Sequence, residues 1–139
     1  YNTKIRRLVA ENYLEKEVVW LGMLGKEGLE NEYKEADIFV LPTYRDGFGQ
    51  VIIEAMSFGL PVISSRVGAI PELIEHMKSG LFVDIGNSGQ IAEMINLLCA
   101  DKRLKDNISK EACIVASKYE DWNVLNSKIE YLLSTLWNN

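Results

Sequence analysis

Two acidic residues eight positions apart, Asp46 and Glu54, stand on either side of a loop that contains two glycines. Glu54 lies among apolar neighbours, so its carboxylate is either exposed on the far side of a helix or directed at a polar ligand. Carboxylates only accept hydrogen bonds, and a pair at this spacing can bracket a ligand rich in hydroxyl groups. The structural alternative for Asp46 is a role as the cap of a turn.

The residues between the two acids predict a site for an anion. The two glycines of Gly47, Phe48, Gly49 and Gln50 let the backbone turn sharply and approach a ligand without an obstructing Cβ. The helix that we expect next would direct its free N–H groups and the positive end of its dipole into the same space. These features favour phosphate, while a plain strand-to-helix turn explains the glycines equally well.

Most other chemistry is excluded by the residues that the sequence lacks. His76 is the only histidine, so a metal site of several imidazoles is excluded. The sequence also has no GxSxG motif of the kind that carries a nucleophilic serine. We expect this histidine to lie at the surface. The two cysteines, Cys99 and Cys113, have no metal-ligand spacing and are predicted to be free and buried, as in a protein from a reducing compartment.

Short apolar runs alternate with segments of helical periodicity, and these elements would position the loop. The predicted strands are residues 18–21, 38–41, 62–65 and 81–83. The predicted helices are residues 3–15, 26–36, 51–58, 72–77 and 88–100, a helix that begins at an Asp101 cap, and a last helix over about 121–137. This alternation predicts an α/β fold, a Rossmann-like parallel sheet flanked by helices. Ligands of such sheets bind beyond the carboxyl ends of the strands.

Composition and charge limit the classes of partner. The 139 residues, 47% of them hydrophobic, suit one domain over 1–139 with a real core. A formal net charge of -5 argues against a nucleic-acid-binding surface, and no apolar run approaches the ~20 residues that span a bilayer. The chain begins at Tyr1 rather than methionine, so we expect a fragment of a longer protein.

Residues 46–63, DGFGQVIIEAMSFGLPVI, resemble the core signature of retaining glycosyltransferase family 4, which has the GT-B fold. The family pattern is E-G-F-G-x-x-x-x-E-A-M-x-x-G-x-P-V-I. Four flanking segments are also similar to the family: VVWLG at 18–22, ADIFVLPT at 36–43, VGAIPELI at 67–74 and GLFV at 80–83. The resemblance identifies the chain as most of the donor-binding C-terminal domain of such a transferase, with the first strands of that domain missing.

The resemblance also implies a role for each matching position. Glu54 would bind the ribose hydroxyls of a sugar nucleotide, and Asp46 would be the catalytic acid that contacts the transferred sugar. The diphosphate would be held by the backbone N–H groups of Gly47, Phe48, Gly49 and Gln50, and the base would lie near Gly22, Met23 and Leu24. The chemistry needs no metal, so we expect neither a metal nor another cofactor.

The implied reaction transfers a sugar from a nucleoside-diphosphate donor, such as a UDP- or GDP-sugar, to an acceptor hydroxyl with retention. The enzyme would be a hexosyltransferase of polysaccharide biosynthesis, cytoplasmic, with a peripheral position at the inner face of the membrane as an alternative. A missing N-terminal domain would bind the acceptor glycan or lipid-linked sugar, so the isolated fragment should be inactive.

Two other functions stay open at this point. Asp46 and Ala69 replace the family's Glu and Gly, which motivates a non-catalytic nucleotide-sugar-binding or interaction module. A sugar-nucleotide epimerase of the same fold is the second alternative. Since the first strands are missing, we also expect exposed sheet edges through which the chain oligomerises.

Overall fold

The computed structural model describes residues 2–119, and the predicted helix at 121–137 therefore lies outside the described residues. The chain divides into two compact units, Tyr1–Asn31 and Glu32–Asn139. In the described part, no helix has both the length and the apolar character needed to cross a membrane.

The first unit is helical and contains no strand among its described residues. Helix α1 is Asn2–Glu11, and the unit ends within helix α2, Lys26–Glu35. The strand predicted at 18–21 is wrong, because these residues have no regular secondary structure and Val19 is 77% exposed. A strand forms only where its backbone groups pair with a neighbour, and no described residue of this unit provides one. The Trp20 ring instead lies 4.6 Å from the guanidinium of Arg6.

The second unit is built on a parallel sheet of three strands, as predicted. Strands β1 (Phe39–Leu41), β2 (Val62–Ser65) and β3 (Leu81–Val83) lie in the order β1-β2-β3. Val40 pairs with Ile63, and Ser64 pairs with Phe82. All four residues of β2 are buried, as expected of a central strand covered on both faces.

Helices connect the strands and cover the sheet, which confirms the α/β fold. They are α3 (Gln50–Ser57), α4 (Ile70–Leu73), α5 (Ser88–Ala100) and α6 (Lys102–Ser117). Helix α4 begins and ends earlier than the predicted 72–77, and its first turn contains Pro71. The predicted Asp101 cap is confirmed, since its Oδ1 accepts the Leu104 N–H at 2.9 Å.

The core joins β2, β3, α5 and α6 through Ile63, Leu81, Val83, Leu98 and Ile108. The prediction that both cysteines are buried is wrong, because Cys99 and Cys113 are free but exposed. Each cysteine directly follows a buried residue of its helix, Leu98 or Ala112. One residue turns an α-helix by about 100°, which is enough to move the thiol off the buried face.

His76 is exposed, as predicted, and covers the outer edge of β3. Its Nδ1 accepts the backbone N–H of Phe82 at 2.9 Å, a donor that points away from the pairing with β2. A side-chain acceptor at this place satisfies one backbone group of a strand edge.

Replacing His76 by alanine should accelerate hydrogen exchange at the Phe82 amide by about fivefold, because a hydrogen bond of this kind contributes about 1 kcal/mol. Exchange measured by NMR or by mass spectrometry on the β3 peptide tests this result. The control is Lys78→Ala, which removes only an exposed ion pair with Glu75. Unchanged exchange in His76→Ala would show that water replaces the imidazole without loss.

Candidate active site

The candidate site lies at the carboxyl end of β1, where the chain turns into α3. Gly49 directly precedes the helix in the left-handed conformation, with a φ of 75°. A Cβ at this position would lie 3.0 Å from the side chain of Leu73, so the turn needs a glycine for its conformation and for its space. The loop with the two glycines is therefore at the sheet edge where the sequence placed it.

Asp46 holds this loop together through its side chain. Its Oδ1 accepts the N–H of Gly49 at 2.5 Å, which is the turn-capping contact considered above as the structural alternative. The bond occupies one of the N–H groups predicted to hold the diphosphate. The second carboxylate oxygen, Oδ2, has no hydrogen bond within residues 2–119, so one oxygen of Asp46 is available to a ligand.

The start of α3 presents N–H groups that the rest of the described chain does not use. Neither Gly47 nor Gln50 donates its backbone N–H to another described residue. The first turn of a helix always has such unsatisfied donors, and the positive end of the helix dipole adds to their effect. Phe48 is half-exposed beside them, and its ring contacts the Tyr119 ring edge-on at 6.1 Å.

Glu54 lies one turn into α3, on the same face as Gln50 and Phe58. Residues four positions apart stack along a helix, so the Cα of Glu54 is about 6 Å along the axis from the Cα of Gln50. The buried face of α3 is formed by Ile52, Ile53, Ala55 and Met56. Glu54 itself is half-buried. Its carboxylate therefore stands at the rim of the core and not on the far side of the helix.

Tyr33 is the residue of this site that the sequence did not reveal. It is only 6% exposed, and its ring contacts Phe39 at 5.9 Å and Phe58 at 5.4 Å. Burial raises the pKa of the phenol, and the nearby charge of Glu54 raises this pKa further. In the sequence, Tyr33 is indistinguishable from an ordinary core residue at helical spacing.

The loop after β2 supports the candidate loop from the side. The N–H of Ala69 donates to the carbonyl oxygen of Gly47 at 3.4 Å. Gly68 has a φ of 53°, and a Cβ on it would collide with the carbonyl oxygen of Asp46 and lie 3.2 Å from that of Gly47. Only a glycine fits at position 68, whereas the methyl group of Ala69 is accommodated.

A cavity of about 240 Å³ opens beyond the carboxyl ends of β2 and β3. The Arg66 guanidinium lies over the Phe82 ring at 4.0 Å, and Asp84 accepts from the amide of Gln90 at 2.8 Å. Glu93 also lines this cavity. The negative charges of Asp84 and Glu93 therefore outweigh the positive charge of Arg66, and the lining does not favour an anion.

The predicted site residues thus fall into two groups. Asp46, Gly47, Phe48, Gly49, Gln50 and Glu54 all lie in one loop and the helix that follows it, within the second unit. Gly22, Met23 and Leu24 belong to the first unit, where Gly22 has a φ of 70° and Met23 is fully exposed. Over residues 2–119 no group of three or more His, Cys, Asp or Glu could hold a metal ion.

Comparisons with known proteins agree on one family. The family model described as "Glycosyl transferases group 1" matches residues 1–114. The sulfoquinovosyl transferase SQD2 of Arabidopsis thaliana is 32% identical over 124 residues, which are 86% of this chain and 24% of that protein. N-acetyl-alpha-D-glucosaminyl L-malate synthase of Bacillus anthracis is 32% identical over 108 residues, 78% of this chain and 28% of that protein. The chain thus spans about a quarter of these relatives.

Solved structures give the same result for the fold. HepE of Anabaena, in complex with UDP-glucose, matches with a TM-score of 0.84 and 29% identity, over 97% of this chain and 37% of that one. The C-terminal domain of LpcC, a glycosyl transferase group 1 protein of Francisella tularensis, matches with a TM-score of 0.78 and 26% identity, over 84% of this chain and 60% of that one. The sheet and its helices are therefore those of a GT-B C-terminal domain.

Proposed function

The chain belongs to the glycosyl transferases group 1 family, and on this premise we propose that it is the donor-binding part of a retaining transferase of family 4. It would take part in moving a sugar from a nucleoside-diphosphate sugar to an acceptor hydroxyl. The observation that carries the proposal is the start of α3, where no described residue accepts the Gln50 N–H and Glu54 follows four residues later on the same helix face. HepE, which has the same fold, was solved with UDP and with UDP-glucose.

The diphosphate would bind at the start of α3. The N–H groups of Gly47 and Gln50 have no partner among the described residues, and a helix N-terminus favours phosphate. The N–H groups of Phe48 and Gly49 are the other two donors predicted to hold the diphosphate. The Gly49 N–H would have to release the Asp46 carboxylate before it could donate to a phosphate. Because the chain carries a net charge of -5, these local dipoles would act without support from its overall charge.

Glu54 would bind the ribose. Its Cα is about one helical turn from the Cα of Gln50, a separation similar to that between the phosphates and the vicinal hydroxyls of a nucleoside diphosphate. Each carboxylate oxygen can accept from one of the two hydroxyls. The base would then lie near Gly22, Met23 and Leu24, as the family resemblance implies.

Asp46 would contact the transferred sugar through the oxygen that the Gly49 N–H leaves available. The main contribution of the domain would be to hold the donor and to stabilise the departing diphosphate. We propose that no metal takes part, and that the basic groups for this step come from a part of the protein outside this chain. The isolated chain would then be inactive in transfer.

The wider setting of the proposal follows the family resemblance. The donor would be a UDP- or GDP-sugar carrying a hexose, and the acceptor a glycan or lipid-linked sugar in polysaccharide biosynthesis. The full-length protein would be cytoplasmic or peripheral at the inner face of the membrane. Oligomerisation through sheet edges stays a prediction, which sedimentation of the isolated chain can test.

The proposal is tested with the full-length protein that carries this chain. We expect calorimetry to show binding of one of UDP, GDP and ADP, each tested alone, in the micromolar to millimolar range typical of enzyme substrates. The matching nucleotide sugar should be slowly hydrolysed, and NMR should show that the released sugar first appears with the donor's anomeric configuration. Inversion would contradict the retaining mechanism, and binding of none of the three nucleotides would contradict the donor site.

One observation favours the non-catalytic module as the second candidate. The Asp46 carboxylate already caps the turn at Gly49, and a shorter acid held in this way reaches less far than the family's glutamate. Donor binding with no transfer and no hydrolysis in the full-length protein would support this second candidate over the enzyme.

A further inference from the structure

We propose that Tyr33 is a positioning residue of the nucleotide site, donating a hydrogen bond from its phenol to the Glu54 carboxylate. In this way it would hold the carboxylate where the two ribose hydroxyls of the donor can reach it. The inference rests on the proposed ribose role of Glu54 and assigns a residue on a different element, α2, to the same site.

Tyr33 packs against the two elements that carry the candidate site. Its ring lies between Phe39 of β1 and Phe58, with centroid distances of 5.9 and 5.4 Å. Phe58 caps the end of α3 four residues after Glu54 and therefore lies on the side of the helix that carries Glu54. The Tyr33 ring thus covers this side of α3.

The chemistry of the two groups is complementary. A buried phenol needs a hydrogen-bond partner, and a carboxylate can accept about four hydrogen bonds through its two oxygens. One bond from Tyr33 thus leaves acceptor capacity for a vicinal diol. The raised pKa of Tyr33, caused first by burial and then by Glu54, keeps the phenol protonated as a donor.

The benefit of this bond would be preorganisation. A glutamate side chain has three rotatable bonds, and ordering such a side chain on binding costs conformational entropy. A carboxylate already held by a rigid phenol loses less freedom when the nucleotide binds. Removing only the phenol oxygen should therefore weaken binding of the ribose and of no other part of the donor.

The structural alternative is that Tyr33 only fills the space between α2, β1 and α3. Tyr33→Phe keeps the ring and its contacts with Phe39 and Phe58, so it separates this packing role from the hydrogen bond. A purely structural role would change the binding of every nucleotide to the same extent, whether or not the nucleotide has ribose hydroxyls.

The experiment compares two ligands in the full-length protein that carries this chain. Calorimetry is run with whichever of UDP, GDP and ADP the protein binds, and with the 2′,3′-dideoxy form of that nucleotide. We expect Tyr33→Phe to raise the Kd of the ribonucleotide by up to about tenfold, since the Glu54 side chain must then be ordered when the nucleotide binds. The Kd of the dideoxy form should change less than about twofold. In a Glu54→Gln background, Tyr33→Phe should add no further loss.

The control variant changes a tyrosine outside the candidate site. Tyr13→Phe, at a residue that is 90% exposed, should leave both Kd values unchanged. Equal losses for both ligands, or no loss for the ribonucleotide, would overturn the positioning role of Tyr33. If Glu54→Gln itself does not weaken ribonucleotide binding, the ribose role of Glu54 fails, and the role of Tyr33 fails with it.

Discussion

Replacing Glu54 by glutamine should raise the KM for the donor nucleotide sugar about 10- to 100-fold in the full-length protein, with a smaller change in kcat. Hydrogen bonds to a charged group contribute about 1.5–3 kcal/mol, and each 1.4 kcal/mol corresponds to tenfold in affinity. Glutamine keeps the size of the side chain but removes its charge and one of its two acceptor oxygens. Initial rates over a range of donor concentrations measure the effect.

The matched control for this variant is Asp106→Asn, which neutralises an exposed acid on α6. It changes the net charge of the protein by the same amount as Glu54→Gln but lies outside the candidate site. Unchanged donor kinetics in both variants would rule out contact between Glu54 and the ribose. A fall in kcat alone for Glu54→Gln would assign Glu54 to the chemical step and not to donor binding.

The sheet could be predicted because each of its strands contains a short apolar run. Residues of β2 are buried on both faces, so this strand shows no alternation of polar and apolar residues. The run at 18–21 is at least as apolar and forms no strand, because composition reports the tendency of a segment to pair but not the presence of a neighbouring strand. Strand prediction therefore succeeded where the described chain supplies a partner strand.

Cys99, Cys113 and Tyr33 show what helical periodicity does not predict: the exposure of single residues and contacts between different elements. Cys99 and Cys113 each follow a buried residue on α5 or α6, and an error of one position moves a side chain from the core to the surface. Helical spacing in residues 26–36 shows Tyr33 only as one apolar position. The influence of Glu54 on the pKa of Tyr33 acts between residues 21 positions apart in the sequence and on different elements, and no local pattern in α2 encodes it.

Asp46 shows why a motif and a structure can support two roles for one residue. The motif predicts an acid that contacts a sugar, and the structure shows an acid that accepts the N–H of Gly49. The two roles use different oxygens, so they are compatible in geometry. The Gly49 N–H is the one group for which the Asp46 carboxylate and the diphosphate would compete. When a donor binds, this N–H would donate to a phosphate instead of Asp46.

Replacing Gly68 by alanine should lower kcat/KM of the full-length protein by at least about 100-fold, the largest effect that we expect from a single methyl group in this chain. The new Cβ would collide with the carbonyl oxygen of Asp46. Gly68 also has a φ of 53°, a conformation that costs an alanine about 1–2 kcal/mol. Both effects act on the same contact between the loop after β2 and the loop that carries Asp46.

The collision can be relieved only by moving one of these two backbones, because no flexible side chain is involved. Moving the Asp46–Gly47 segment would displace the N–H groups at the start of α3, and a misplacement of about 1 Å costs on the order of 100-fold in rate. The control is Gly25→Ala, where a Cβ would meet no atom within 4 Å. Circular dichroism should show that both variants fold, so that full activity in folded Gly68→Ala would mean that the position of this loop does not determine catalysis.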